Sequence, residues 1–235
     1  MKNIFVINNS NKLNNSYIFS FNLSSFLGKN DKKVLLLSST LTTNELIINN
    51  IDARKILSKN VIPPFCIYQF NHQLHLLLLT PKNSANLNIK DISEITRLII
   101  KQIELIKNNY DYLVIDAKMI WSDLDLSLLK KHDINYMINF FDSSELDISL
   151  LMKNTKIINS TNKKINSEIV LDNFDRNNQI SLQCFNQLIK LFPDKKITII
   201  NQKDHLNLIN YVDKKPWLNL SVDFDDICNR IEENK

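Results

Sequence analysis

The chain opens with KNIFVI (residues 2–7), NNSNKLNNS (8–16), YIFSFNLSSFLGK (17–29) and, after a short gap, KVLLL (33–37). The first and last of these stretches are short apolar runs, which are typical of strands buried on both faces of a parallel sheet. The third has the length of a helix, and the second is polar apart from one leucine. The order therefore predicts a strand, a loop, a helix and a second strand, with the loop where the first strand meets the helix.

The rest of the chain continues this alternation. We predict further strands at 65–70, 74–79, 110–116, 134–141, 168–173 and 196–201, and helices at 89–108, 143–154, 179–192, 203–212 and 222–233. Asn71 and His72 form the turn of a hairpin between the strands at 65–70 and 74–79. No segment has the composition of a linker, so residues 1–235 are expected to form a single domain. The predicted fold class is α/β, a doubly wound and mostly parallel sheet with helices on both faces.

The composition is poor in glycine and only mildly basic. Gly28 is the single glycine among 235 residues, whereas average usage is about 7%. A genome bias toward Asn, Lys and Ile explains part of this deficit, although the same bias would retain lysines. The net charge of +4 comes from scattered residues, so nucleic-acid binding is not expected. Three separated cysteines, no signal segment and no long apolar run lead us to expect a cytoplasmic protein without membrane insertion.

The order of these segments resembles the ParA/MinD group of deviant P-loop ATPases over essentially the full chain. YDYLVID (110–116) resembles the Walker B strand of that group, and EIVLDNFD (168–175) resembles its adenine-side strand and turn, which contains Asn173. The resemblance implies a P-loop NTPase-like fold of the SIMIBI type, with a nucleotide site between the first strand and the first helix. It also implies dimerisation with the nucleotide held between two subunits. The hairpin at 65–79 is similar to the TadZ/CpaE branch of the group.

The chain departs from the family pattern at the residues that carry the chemistry. The resemblance puts Ser16 at the phosphate-binding lysine and Tyr17 at the magnesium-binding threonine. The other replaced positions are Leu13 and Asn15 at the two loop glycines, Asn11 near the signature lysine with Lys12 beside it, and Ser38 at the acid that polarises the attacking water. Of the Walker B metal site only Asp116 is retained. It is either a relict metal ligand or a structural acid at the end of a buried strand.

These replacements remove the groups that hold a nucleotide. Glycine permits the positive φ values and the close backbone approach that a phosphate loop needs. A bare helix N-terminus contributes only about 0.3–1 kcal/mol toward an anion, whereas micromolar affinity needs about 8 kcal/mol. We therefore expect no cofactor, weak or absent binding of ATP and Mg²⁺, no resident metal and no ATP hydrolysis.

The resemblance then implies a catalytically inactive ParA/MinD-like protein, a pseudo-ATPase that acts through protein contacts. Its role would be that of a scaffold, localisation or regulatory factor for a bacterial machine such as a pilus or secretion system, a flagellum, cellulose synthase or the partition apparatus. Its partners would be proteins, including a second copy or an intact homologue, and a partner could recruit it to the inner-membrane face. The alternative is a nucleotide-binding or active ATPase in partition or cell-division positioning, with an altered loop that uses Lys12 and Asp116.

Overall fold

A computed structural model describes residues 1–9, 13–38, 65–79, 97, 100–117, 134–144, 149, 152, 165–201 and 222–233. Its strands are β1 (Lys2–Asn8), β2 (Val34–Ser38), β3 (Phe65–Gln69), β4 (Leu74–Leu79), β5 (Tyr112–Ala117), β6 (Tyr136–Asp142), β7 (Asn166–Phe174) and β8 (Ile197–Asn201). Its helices are α1 (Leu13–Leu27), α2 (Gln179–Leu191) and α3 (Val222–Glu233). Residues 100–106 are also helical and lead into a 3₁₀ turn at Lys107–Asn109.

The strands form one sheet in the order β3-β4-β2-β5-β1-β6-β7-β8. Every neighbouring pair is parallel except the hairpin β3–β4, which is antiparallel. The strand that comes first in sequence thus lies inside the sheet, between β5 and β6. The predicted α/β fold with a mostly parallel sheet is confirmed. The predicted helices at 143–154 and 203–212 lie outside the described residues, apart from residues 143, 144, 149 and 152 of the first.

Helices cover both faces of the sheet because successive side chains of each buried strand, which point to opposite faces, are apolar. Ile4 and Val6 of β1 pack in the cluster that contains α1 and α3. Phe5 and Ile7 pack on the other face, against Ile103 of the helical residues 100–106. A third cluster holds α2 against β6, β7 and β8. The doubly wound arrangement therefore follows from the unbroken apolar runs of the strands.

The start of α1 differs from the prediction. We predicted a polar loop at 8–16 and a helix at 17–29, but β1 extends through Asn8 and the helix runs from Leu13 to Leu27. Both predicted boundaries are wrong, and only residues 9–12 connect the two elements. The run NNS at 14–16 favours turns on local propensity, yet burial overrides this weak preference. Ser16 is only 1% exposed in the first turns of the helix.

α1 is buried from Ser16 to Leu27 apart from the half-buried Ile18, and aromatic side chains join it to its neighbours. The Phe19 ring lies 5.3 Å from that of Phe140 in β6 and 5.4 Å from that of Phe224 in α3. The Phe26 ring stacks on Phe224 with the centroids 5.1 Å apart. Two buried polar residues of α1 bond to the helix itself: Asn22 Nδ2 donates to the Ile18 carbonyl at 2.8 Å, and Ser24 Oγ donates to the Ser20 carbonyl at 2.7 Å. The helix is thus a core element, which fixes the position of its N-terminus.

The apolar side of α3 belongs to the core. Phe224, Ile227 and Ile231 are each at most 1% exposed. Lys2 Nζ donates to the carbonyl of Ile231 at 3.0 Å and so ties the end of α3 to the start of β1. Within the described part of the chain, no helix is long and apolar enough to cross a membrane.

Candidate nucleotide site at the carboxyl ends of the central strands

The candidate site lies where the carboxyl ends of β5, β1 and β6 meet the start of α1. In open α/β sheets, ligands bind at the carboxyl ends of the strands, at the point where the strand order reverses. The register pairs Val6 of β1 with Asp116 of β5, and Asn8 of β1 with Phe140 of β6. Helix α1 begins at Leu13, directly after this point. A nucleotide would have to lie against these elements.

The residue after β1 is bound to the sheet. The Asn9 amide donates to the Phe140 carbonyl at 2.8 Å. Its side-chain Nδ2 donates back to the carbonyl of Ile7 at 3.1 Å. Asn9 is completely buried. Because Asn9 is bound to the sheet, only residues 10–12 remain between it and the first residue of α1. This connection is short for a loop that surrounds phosphates.

The first turns of α1 contain Ser16 and Tyr17, two of the predicted site residues. A helix that begins at Leu13 uses the backbone N–H groups from Tyr17 onward in its own hydrogen bonds. Ser16 and Tyr17 are 1% and 0% exposed, and neither hydroxyl has a hydrogen-bond partner among the described residues. The two residues at the predicted lysine and threonine positions are therefore core residues of a helix. Neither offers a positive charge or an exposed hydroxyl.

Asp116 faces α1. Its side chain is fully buried at the end of β5, and Ser20 Oγ donates to its Oδ1 at 3.4 Å. Burial, with the nearby Asp116 carboxyl as a second cause, raises the pKa of Tyr17 far above its usual value. Tyr17 therefore stays protonated at neutral pH. Register places Ser38 of β2 beside Asp116 on the backbone.

Asn173 is held at the ends of β6 and β7. Its backbone has φ of 57°, in the left-handed region that Asn tolerates better than most residues. Its Nδ2 donates to Asp142 Oδ1 at 3.5 Å, and its carbonyl accepts from Ser143 Oγ at 2.7 Å. β7 is separated from β1 by β6. Asn173 thus shapes a neighbouring strand end, and its contacts within the described residues do not join it to Asp116.

Three of the predicted site residues are buried in the described structure. Tyr17 lies near Asp116, and Ser16 precedes Tyr17 in the first turns of α1. Asn11 and Lys12 lie outside the described residues, as do the side chains of Asn15 and Ser38. We did not predict Ser20, although it follows Ser16 by one helical turn and so lies on the same face.

The described residues at this end of the sheet offer a buried carboxylate and three hydroxyl groups. They contain no lysine or arginine placed to offset a phosphate charge. No group of three or more His, Cys, Asp or Glu side chains suited to a metal ion occurs in the described ranges. Ser20 Oγ donates to the buried Asp116 carboxylate, and the charge of Asp116 also acts on the pKa of Tyr17.

Solved structures with the same fold include ParA and MinD proteins. The chain is similar to a putative plasmid partition protein of Borrelia burgdorferi B31 bound to AMPPNP, with 17% identity, a TM-score of 0.64, and coverage of 99% of this chain and 97% of that chain. It is similar to apo McdA of Cyanthece, with 13% identity, a TM-score of 0.68, and coverage of 100% and 99%. It is also similar to MinD in the MinC:MinD cell division complex of Aquifex aeolicus, with 13% identity, a TM-score of 0.66, and coverage of 100% and 97%.

Sequence comparison adds no closer relative. No protein-family model matches the chain, and no curated protein matches it. At these identities, the likeness to solved structures concerns the arrangement of strands and helices over the full length. The protein has the P-loop NTPase-like α/β fold of the ParA/MinD ATPases.

Proposed function

We propose that this protein is a ParA/MinD-like pseudo-ATPase that does not hydrolyse ATP and acts through contacts with other proteins. The observation that carries the proposal is the start of α1, where Ser16 and Tyr17 are buried in the positions of the family's lysine and threonine. A protein with this fold that does not hydrolyse ATP can still act as a scaffold, localisation or regulatory factor in a bacterial assembly.

The energetic argument supports loss of nucleotide binding. Phosphoryl transfer depends on a lysine and a magnesium ion that offset the charge of the β- and γ-phosphates. Replacing the lysine by buried Ser16 removes that positive charge. Replacing the threonine by Tyr17, which is completely buried, would remove the hydroxyl that holds magnesium. Buried Asp116 would in addition repel a triphosphate that has no bound cation.

The structural neighbours support the biological context. One is described as a plasmid partition protein, and another is a cell division protein in complex with MinC. We therefore propose that this chain takes part in partition or in positioning a bacterial machine, and that its binding partner is a protein. The hairpin β3–β4, on which the likeness to the TadZ/CpaE branch rests, is formed.

Isothermal titration of the purified protein with ATP or AMPPNP in the presence of Mg²⁺ tests the proposal. We expect no binding in the micromolar range and no phosphate release. If the wild type binds ATP, Lys12→Ala shows whether the connecting segment takes part, because Lys12 is the only basic residue of that segment. Micromolar binding that is lost in both Lys12→Ala and Asp116→Asn would contradict the proposal and favour the altered-loop ATPase.

A further inference from the structure

A cavity of about 260 Å³ lies between the end of α1 and the turn of the hairpin β3–β4. One wall comes from residues 25–31 and the other from residues 71–74. The Gln73 carbonyl accepts from the Val34 amide at 2.8 Å, which fixes the second wall to the start of β2. The cavity thus lies at the amino ends of β2 and β4, at the opposite end of the sheet from Asp116. Ligand pockets usually measure about 300–1,000 Å³, so an occupant of this cavity would be a small molecule.

Ser25 brings a buried hydroxyl group without a partner to the wall of the cavity. The residue lines the cavity and is only 4% exposed. Its Oγ has no hydrogen-bond partner among the described residues. The adjacent Ser24 differs, because its Oγ donates to the Ser20 carbonyl at 2.7 Å. An unsatisfied buried hydroxyl is costly, so a bound molecule that pairs with Ser25 would gain a hydrogen bond that the protein does not make by itself.

The end of α1 adds a backbone acceptor beside Gly28. The Gly28 amide donates to the Ser24 carbonyl at 3.1 Å, and the Lys29 amide donates to the Phe26 carbonyl at 3.0 Å. Neither amide uses the Ser25 carbonyl, whose oxygen lies 3.4 Å from the place of a Cβ on Gly28. A side chain at Gly28 would project from one wall of the cavity to the other, since its Cβ would lie 3.1 Å from that of Gln73. The single glycine of the chain therefore leaves this space open.

The polar side chains of the cavity both donate and accept hydrogen bonds. Asn30, Asn71 and Gln73 line it with carboxamides, each of which has an NH₂ donor and a carbonyl acceptor. Asn71 Oδ1 accepts from the amides of Gln73 and Leu74 at 2.9 and 2.7 Å, which orients this carboxamide and leaves its Nδ2 as a donor. A hydroxyl group likewise donates one hydrogen bond and accepts others. The mixture of groups therefore matches a ligand that carries several hydroxyls.

The charges at the cavity favour an uncharged ligand. Two of the lining residues are charged, Lys29 and the exposed Asp31. The Lys29 ammonium is already paired, because its Nζ lies 3.0 Å from Asp225 Oδ1 and 3.8 Å from the centroid of the Phe26 ring. An anion would meet the Asp31 carboxylate and a lysine that has a partner, whereas a cation would meet Lys29. A neutral molecule avoids both repulsions.

We propose that this cavity binds a small uncharged polyol of about the size of a monosaccharide. The hydroxyl and carbonyl of Ser25 and the carboxamides of Asn71 and Gln73 bond to its hydroxyl groups, and the buried Leu74 lies against its carbon skeleton. The occupant thereby bridges the end of α1 and the hairpin β3–β4. The inference is independent of the proposed loss of ATP hydrolysis, because the cavity and the candidate nucleotide site lie at opposite ends of α1.

Nuclear magnetic resonance of the isotope-labelled full chain, titrated separately with D-glucose, D-ribose and myo-inositol, tests the proposal. With at least one of these polyols we expect saturable shifts of the amide signals of residues 25–31 and 71–74. The dissociation constant should be about 1 mM, as is usual for a ligand of so few atoms. The amide of Asp116, at the other end of the sheet, should not shift. Inorganic phosphate at the same ionic strength should give no saturable shift at the cavity.

Ser25→Ala should raise the dissociation constant of the bound polyol about 5–10-fold, because it removes one hydrogen bond to the ligand. The fold should tolerate this change, since the lost hydroxyl has no partner among the described residues. Ser24→Ala is the matched control: it removes the adjacent buried hydroxyl, which bonds within α1, and should leave the affinity unchanged. The absence of saturable shifts with all three polyols, equal weakening by both variants, or binding of phosphate in place of the polyols would overturn the inference.

Discussion

The hydroxyl groups of Tyr17 and Tyr112 have opposite surroundings. Tyr17 is completely buried, and its hydroxyl has no hydrogen-bond partner among the described residues. Tyr112 donates to Glu232 Oε1 at 3.1 Å. A buried hydroxyl without a partner costs about 1–3 kcal/mol, whereas a hydrogen bond that is made contributes about 1 kcal/mol. Replacement of the tyrosine by phenylalanine should therefore change the free energy of unfolding in opposite directions at the two positions.

Tyr17→Phe is expected to raise the free energy of unfolding by about 1 kcal/mol, because it removes a desolvated hydroxyl and keeps the ring. Tyr112→Phe, the matched control, is expected to lower it by about 1 kcal/mol. Urea unfolding followed by circular dichroism measures both. Destabilisation by Tyr17→Phe would mean that the hydroxyl contributes to the fold or to a bound group.

The sequence suggested which residues to inspect at this site, but it did not show their surroundings. The family resemblance singled out Ser16, Tyr17 and Asp116, all of which the structure buries, with Tyr17 near Asp116. Sequence did not show that Ser20 would contact Asp116 or that Asn9 would bond to β6. Those contacts depend on how far α1 extends toward the sheet, and this distance is set by packing across the whole helix.

The bounds of the strands, which are uniformly apolar, were predicted well. The start of α1, where polar and apolar residues are mixed, was not. The strands agree with the predicted ranges within about two residues, because burial on both faces demands continuous apolar sequence. α3 matches the predicted 222–233. α1 begins earlier than predicted, since its first turns carry Asn and Ser, whose weak helix propensity is outweighed by the burial of Ser16 and Tyr17.

The end of α1 packs closely against the hairpin β3–β4. Gly28 follows the helix, and a Cβ built there would lie 3.1 Å from the Cβ of Gln73 and 3.4 Å from the carbonyl oxygen of Ser25. Neither neighbour is the flexible end of a long side chain. The chain's single glycine therefore stands where two elements approach most closely.

Gly28→Ala is expected to destabilise the protein by about 1–3 kcal/mol, the usual cost of overpacking. Gln73→Gly in the same chain should recover part of the loss, because it removes the opposing Cβ. Thermal unfolding of the single and double variants measures the effect. A Gly28→Ala protein as stable as the wild type would show that the hairpin can shift without cost.

Arg230 joins α3 to the neighbouring strands β7 and β8. Arg230 donates to Glu168 Oε2 from Nη2 at 2.7 Å and from Nε at 2.9 Å. Arg230 also donates to Thr198 Oγ1 at 3.1 Å. Glu168 is 1% exposed, and its burial raises the pKa of its carboxyl even though Arg230 lies beside it. α3 is thereby fixed to β7 and β8 across the end of the sheet.

Removing one partner should cost more than removing both. Arg230→Met leaves a buried carboxylate without its partner and is expected to destabilise by about 3–5 kcal/mol. The double variant Arg230→Met with Glu168→Leu should lose less, since no charge remains buried. Urea unfolding of the single and double variants gives the coupling energy. Additive losses would show that the two side chains act independently.

The central position of β1 has a consequence for how the chain folds during synthesis. Ile4 pairs with Val114 on one side and with Tyr136 on the other, so the sheet cannot close until much of the chain has left the ribosome. The burial of α1 is completed later still, because Phe224 of α3 covers Phe19 and Phe26. Long-range pairing of this kind folds slowly and leaves apolar surface exposed meanwhile. The aromatic N-terminal helix is thus the segment that a nascent-chain chaperone would protect.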